Sequence, residues 1–271
     1  MDLEFSEEEV QRYSRHILLA EVGGSGQAKL RAARVLIVGA GGLGSPILLY
    51  LAAAGVGCIG VADGDTVDLS NLQRQVAHAT GRTGWPKTRS AALTARGINP
   101  LVSVMEHNLR LTAANAEALV RDYDIICDAS DNAATRYVLA DACHLARKPM
   151  VFGAVAQFDG QVAVFPPEGP CYRCLHPSPP PDGLVPSCAE AGVLGAAPGV
   201  IGALQAMEVL KLILGVGEPL AGRVLLWDGL AARFDTLRLP RNSSCPLCGT
   251  SPSINALGQY SSSLTEPVRG I

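Results

Sequence analysis

The stretch "VLIVGAGGLGSPILLYLAAAGVGCIGVADGD", residues 35–65, decides the fold: no charged residue stands before Asp63. By length alone it could cross a membrane. Seven glycines between Val35 and Ala62 argue otherwise. The clusters at 39–44 and 55–57 are turn signals that cut the stretch into strand, helix and strand, and it ends in carboxylates. "RVLIVG" reads as a buried strand, 44–54 as a helix opened by glycines, and "CIGVAD" as a second strand.

Working outward, the same alternation recurs. Residues 6–20 read as a helix capped by Ser6, with Glu9 completing a capping box. A short helix is expected at 27–33, after a glycine-rich bend. Strands are expected at "VSVME", "YDIICDA", "PMVFGAV", "QVAVF", "RVLLWD" and "RFDTLRL". Helices are expected at 87–97, 113–121, 133–147 and 199–214. The pattern predicts an α/β fold, Rossmann-like and doubly wound, with a mostly parallel sheet and helices on both faces. One domain is expected over 1–249: an N-terminal helical arm (1–33), a nucleotide-binding core (34–165), a crossover segment (166–198), and a C-terminal helix and strands (199–249). The Pro/Gly-rich crossover admits no regular element, which marks it as functional. Residues 250–271 are Ser-rich and predict a flexible polar tail. The helix "GVIGALQAMEVLKLILG" is apolar nearly all round, so it is expected to be buried in the core, a dimer contact, or both.

The chain has 271 residues and a net charge of -3. That balance excludes a sequence-independent nucleic-acid binder, DNA included. The acidic N-terminus carries no secretory h-region, so a cytoplasmic location is expected and no membrane partner.

"GAGGLG" places Gly39, Gly41 and Gly44 in G-x-G-x-x-G register between a strand and a helix, the context the motif requires. Such a loop and helix N-terminus hold phosphates, with Gly42 among the cradling positions, and Asp63 is placed for a ribose hydroxyl. The motif alone would suit NAD. Beyond the next strand, however, "DGDTVDLSNLQRQ" adds Asp65, Ser70, Asn71, Gln73 and Arg74. "GWPK" adds Lys87, and "DASDN" adds Asp131 and Asn132 after a further strand. A triphosphate that is cleaved needs cations on its departing oxygens and a carboxylate for Mg2+. A nicotinamide cofactor does not, so the set favours ATP.

Of eight cysteines, four form C-x-x-C pairs, Cys171/Cys174 and Cys245/Cys248. In a chain without a secretory signal these suit a closed tetrahedral Zn2+ site that ties the crossover to the C-terminal strands. The alternative is two redox pairs, which would want a helix N-terminus that is not evident. Cys188 stands apart in the crossover. Cys58, Cys127 and Cys143 are expected to be buried structural thiols. The five histidines are read as surface or capping residues without a role.

Taken in order, "RYSRHILL", "VLIVGAGGLGSP", "DGDTVDLSNLQRQ", "GWPK", "DASDNAATR", "GAVAQFDGQVAVF", "PCYRC", "SCAEAGVLG" and "CPLCG" resemble the ThiF/MoeB/HesA adenylyltransferases, relatives of the ubiquitin-activating enzymes. The resemblance covers residues 6–249. It implies ATP-dependent adenylylation of the Gly-Gly carboxylate of a ubiquitin-like sulfur carrier (ThiS/MoaD-like), with pyrophosphate leaving. A persulfide donor, such as a cysteine desulfurase or rhodanese, would then displace AMP. It also implies phosphate contacts by Asn71, Arg74 and Lys87, Mg2+ placement by Asp131, and a homodimer in which Arg15 reaches the partner's site. Cys188 matches a cysteine used in sulfur transfer by thiamin-pathway relatives. Because the chain ends soon after "CPLCG", the donor is expected to be separate. Three rivals stay open: a tRNA carboxylate-activating dehydratase of the same superfamily, an NAD-dependent oxidoreductase, and a non-catalytic module that docks ubiquitin-fold proteins.

Overall fold

The computed structural model describes residues 4–180 and 192–258. One eight-stranded sheet runs through it in the order β3-β2-β1-β4-β5-β6-β7-β8. The strands are β1 (Arg34–Val38), β2 (Cys58–Ala62), β3 (Ser103–His107), β4 (Ile125–Asp128), β5 (Met150–Ala156), β6 (Asp159–Phe165), β7 (Arg223–Asp228) and β8 (Arg233–Arg238). From β3 to β5 every pairing is parallel; from β5 to β8 every pairing is antiparallel. The expected doubly wound sheet is present, with an antiparallel extension.

Eight α-helices accompany the sheet among the described residues: α1 (Glu7–Ile17), α2 (Gly23–Ala32), α3 (Gly44–Ala54), α4 (Lys87–Ile98), α5 (Ala116–Arg121), α6 (Ala133–Leu145), α7 (Tyr172–Leu175) and α8 (Ala196–Leu214). Alternation along β1 sorts them onto two faces. Val35 and Ile37 join a cluster with Leu30, Leu48, Ala91 and Val209, from α2, α3, α4 and α8. Leu36 and Val38 join another with Val120, Tyr137 and Tyr172, beside α5, α6 and α7. Both faces of the strand are buried, which is why "VLIV" reads as an unbroken apolar run.

Glycines set how closely α8 lies on the sheet. A Cβ on Gly153 would stand 2.3 Å from Gln205, and one on Gly160 2.3 Å from Ile201. Buried Gln205 donates to the Asp128 and Val151 carbonyls at 2.8 and 3.3 Å, stapling α8 to β4 and β5. Among the described residues α8 is the one helix long and apolar enough to cross a membrane, and half of it is buried here.

Several expectations shift. The bend at 23–26 belongs to α2, because Gly26 lets α2 approach Val22 and Leu214. Among its described residues the crossover holds one regular turn, α7, and α8 starts within it at Ala196. Pro198 is accommodated there, in the first turn, where no intrahelical N–H bond is needed. The tail expected from 250 does not begin there: Ile254 is 3% exposed, against the cysteine cluster. Residues 259–271 lie outside the described residues.

Candidate active site

Parallel strands present their C-terminal ends on one edge, and the strand order reverses between β1 and β4. A cleft of about 1210 Å³ opens there. Gly39, Gly41 and Gly42 follow β1, Asp63 and Asp65 follow β2, and Asp131 and Asn132 follow β4; all line the cleft, as do Arg74 and Lys87. Gly39 adopts φ +101°, and a Cβ on it would stand 2.5 Å from the Ala129 carbonyl. Only glycine turns the chain there beneath the β4 loop.

Asp63 fixes the loop. One carboxylate oxygen accepts from the Ala40 N–H at 2.8 Å and the other from the Asp65 N–H at 2.8 Å. Each oxygen keeps a lone pair for a ribose hydroxyl. The cations are held in readiness. Buried Lys87 donates to one Asp65 oxygen at 3.1 Å, and Arg110 donates to the other at 2.8 Å. Arg74 donates to Asn71 Oδ1 at 2.6 Å. Asp131 is exposed to the cleft. Asn132 caps α6, its Oδ1 accepting from the Thr135 N–H at 2.8 Å.

Gly44, Ser70, Asn71, Gln73 and Arg15 do not line the cleft itself, and Gly44 takes the helix–strand packing role of the motif's third glycine. Gly44 stands behind the loop, where a Cβ would lie 1.9 Å from the Gly39 carbonyl oxygen. Ser70 and Asn71 position Arg74 instead, through the Ser70 carbonyl at 3.5 Å and the Asn71 amide. Gln73 packs under Gly195, whose Cβ would meet its carbonyl at 2.1 Å. Arg15 lies exposed in the last turn of α1, away from this chain's own cleft. Cys188 lies outside the described residues.

Other site residues carried no sequence signal that was used. Arg110 and Arg136 line the cleft. Arg136 lies in "DASDNAATR", one helical turn after the Asn132 cap, and donates to the Ser130 carbonyl at 2.9 Å. It stands 3.8 Å from Asp128, whose complete burial pushes its carboxyl up while Arg136 pulls it back. His78 is 8% exposed, not a surface residue. Its Nε2 lies 2.8 Å from the Ala40 carbonyl and its Nδ1 2.9 Å from Ser90 Oγ. A carbonyl only accepts, so Nε2 carries the proton and Ser90 donates to Nδ1. Burial lowers the pKa of His78, which keeps the ring neutral. Each polar end of Ala40 is thus pinned, the N–H by Asp63 and the carbonyl by His78.

On the far side, Cys171, Cys174, Cys245 and Cys248 offer sulfurs that all lie within 4.8 Å of one another. Across the pairs, Cys171–Cys245 and Cys174–Cys248 are 3.5 and 3.3 Å apart. A tetrahedral Zn–S4 centre with bonds of about 2.3 Å has edges of about 3.8 Å, so the cluster fits with a small expansion. Gly249 permits the second turn: a Cβ there would meet the Cys245 and Ser243 carbonyls at 2.5 Å. Cys171 does cap a helix, the four-residue α7, contrary to expectation. The four thiols converge all the same, which suits one metal rather than two redox pairs. Burial first, and then the neighbouring cysteines, push the Cys171 thiol up. Between the first pair, buried Arg173 forms a two-point bond with Asp141 at 2.7 and 2.8 Å. Cys58, Cys127 and Cys143 are buried, as expected.

A profile of the ThiF family matches residues 13–247. The chain is 52% identical over 264 residues to "Sulfur carrier protein adenylyltransferase" of Thermus thermophilus, covering 95% of this chain and 97% of that protein. It is 51% identical over 242 residues to "Adenylyltransferase and sulfurtransferase MOCS3-2" of Zea mays, covering 89% of this chain but 50% of the maize protein, so it spans half that relative's length. The crystal structure of E. coli MccB with MccA-N7isoASN superposes with a TM-score of 0.78 at 24% identity, over 88% of this chain and 74% of that one, a likeness of fold. The chain belongs to the ThiF family.

Proposed function

We propose that the protein uses Mg-ATP to adenylylate the C-terminal Gly-Gly carboxylate of a ubiquitin-like sulfur carrier. The carrying observation is convergence: adjacent strand ends deliver the glycine loop, Asp63 and Asp131 to one cleft, and Lys87 from the start of α4 and Arg74 join them there. A carboxylate oxygen attacks the α-phosphorus, the bond to the bridging oxygen breaks, and pyrophosphate leaves with the electron pair. The nucleophile is already ionised, so alignment and charge neutralisation set the barrier. The glycine loop and the N-terminus of α3 receive phosphate oxygens. Lys87 and Arg74 neutralise them, and Asp63 fixes the ribose. Asp131 is the carboxylate for Mg2+, which supplies charge neutralisation when bound. The four cysteines hold structural Zn2+.

The catalytic unit in this reading is a cytoplasmic homodimer. Leu69, Leu194, Met207 and Tyr50 are each more than half exposed. Tyr50 and Met207 belong to the packed pair α3 and α8, and Leu194 to the turn that leads into α8. A second copy covering that face is the dimer in which, by the family resemblance, Arg15 of one chain serves the other's site. The terminal sulfur of a persulfide donor, a desulfurase or rhodanese, then attacks the acyl carbon and AMP leaves, giving an acyl disulfide. A second thiol, with Cys188 as the residue for any covalent step on this chain, attacks its S–S bond, forming a disulfide and releasing the thiocarboxylate.

The test is carrier-dependent ATP–pyrophosphate exchange with individual Gly-Gly-ending ubiquitin-fold proteins. Exchange with a carrier, lost in Asp131→Ala, is expected. No exchange with any carrier, while ATP binds, would point to another carboxylate or a docking role. Stabilisation by NAD rather than ATP on heating would turn the reading toward redox chemistry.

A further inference from the structure

We propose that residues 254–258, leaving the cysteine centre, form the wall that closes the base end of the nucleotide cleft. The inference rests on the adenylylation reading, which places phosphates at the glycine loop and ribose at Asp63. From Asp63 the next strand end outward is that of β3, whose loop lines the cleft with Leu109, Leu111 and Ala113. Those three side chains offer an apolar face suited to a purine, beside Arg110 and Thr112 of the same loop.

Opposite the loop stands the chain that follows "CPLCG". The Ser253 and Ile254 N–H groups both donate to the Pro246 carbonyl at 2.9 Å, inside the second cysteine turn. Ile254 is buried with Cys171, Cys245 and Cys248. Ala256, Leu257 and Gly258 line the cleft together with Ile254. Leu257 is half-buried on the same core cluster that carries Leu109 and Leu111. Gly258 sits at φ +83°, and a Cβ on it would stand 3.7 Å from the Ala113 Cβ. Five residues therefore bridge the cysteine centre and the base end. Leu257 offers an aliphatic face to the base and excludes water from it, while the cysteine turn fixes where that face stands.

The full chain tests this with Leu257→Ala and Leu257→Asp, measuring Kd for ATP and for inorganic tripolyphosphate by calorimetry, with zinc content and Tm alongside. Trimming a half-buried leucine from a base contact is expected to weaken ATP about fivefold. Aspartate is expected to weaken it more, with tripolyphosphate and zinc unchanged in both variants. Unchanged ATP affinity in the alanine variant would overturn the inference. So would an equal loss for tripolyphosphate, which marks general loosening. If the aspartate variant loses zinc or melts early, the alanine variant decides. If the parent binds tripolyphosphate but not ATP, the adenylylation reading falls and takes this inference with it. ATP binding in the parent with indifferent variants removes this inference alone.

Discussion

The two halves of the sheet are held by different means. In the parallel half, β1 and β2 are covered on both faces, and all but one of their residues are buried. In the antiparallel half, every residue of β8 is exposed. β1 and β2 gain stability from apolar area on both sides. β8, at the far edge, cannot, and the cysteine cluster that follows it ties it back to α7. Strand ends position the groups of the proposed site, and in the proposed reading a metal held by the four cysteines would tie down the exposed edge.

The sharpest way to break this contrast is at the metal. Cys171→Ser is expected to lose bound zinc and on the order of 5 kcal/mol of stability. At this size that lowers Tm by about 10 °C or more. Zinc content by atomic absorption and a melting curve check it; an unchanged Tm would show that the antiparallel half stands without the centre. Next comes Asp131→Ala, expected to leave Tm alone while reducing pyrophosphate exchange at least about 100-fold. A loss matched by unfolding would contradict the separation of scaffold from site. Third, Gly39→Ala forces a side chain into φ +101° and against the Ala129 carbonyl. A cost of about 3 kcal/mol in urea unfolding is expected.

Legibility followed the same division. In the parallel half, apolar runs end in turn residues, so both the strands and the groups at their ends could be read. The boundaries of α3 were placed to the residue, because Gly44 and Gly55 mark them. What stayed hidden was whatever depends on partners distant in sequence. The polarity of Ser70, Asn71 and Gln73 is visible in sequence but their neighbours are not; in space they hold Arg74 and the start of α8. His78 looked idle because nothing local announces the Ala40 carbonyl. The tail looked frayed because "SINALG" carries only two large apolar residues, and what they cover comes from the cysteine turn and the β3–α5 loop.

His78 offers the finest probe of the parallel half, because its effect is small and its sign is fixed. His78→Leu leaves the buried Ala40 carbonyl without its donor, at a cost of about 1–3 kcal/mol. An unpinned carbonyl can turn toward the phosphates, so KM for ATP is expected to rise about tenfold with kcat less affected. His78→Gln, whose amide can still donate, is expected to restore most of it. Acid titration adds a second reading. Burial holds the folded imidazole below its ordinary 6.5; the Ala40 bond opposes this, and Lys87 and Arg82 reinforce it. As pH falls through 6.5 the unfolded chain takes up a proton that the folded chain refuses, so stability declines from there down to the lower folded value. His107, His144 and His176 are lowered by burial as well and act in the same sense. Between pH 7.5 and pH 5.0, His78→Gln should therefore lose less stability than the parent, by up to about 1.4 kcal/mol for each pKa unit of depression. Equal acid losses in the two proteins would mean that folding leaves the His78 pKa unshifted, and that burial does not hold it as a neutral donor to Ala40.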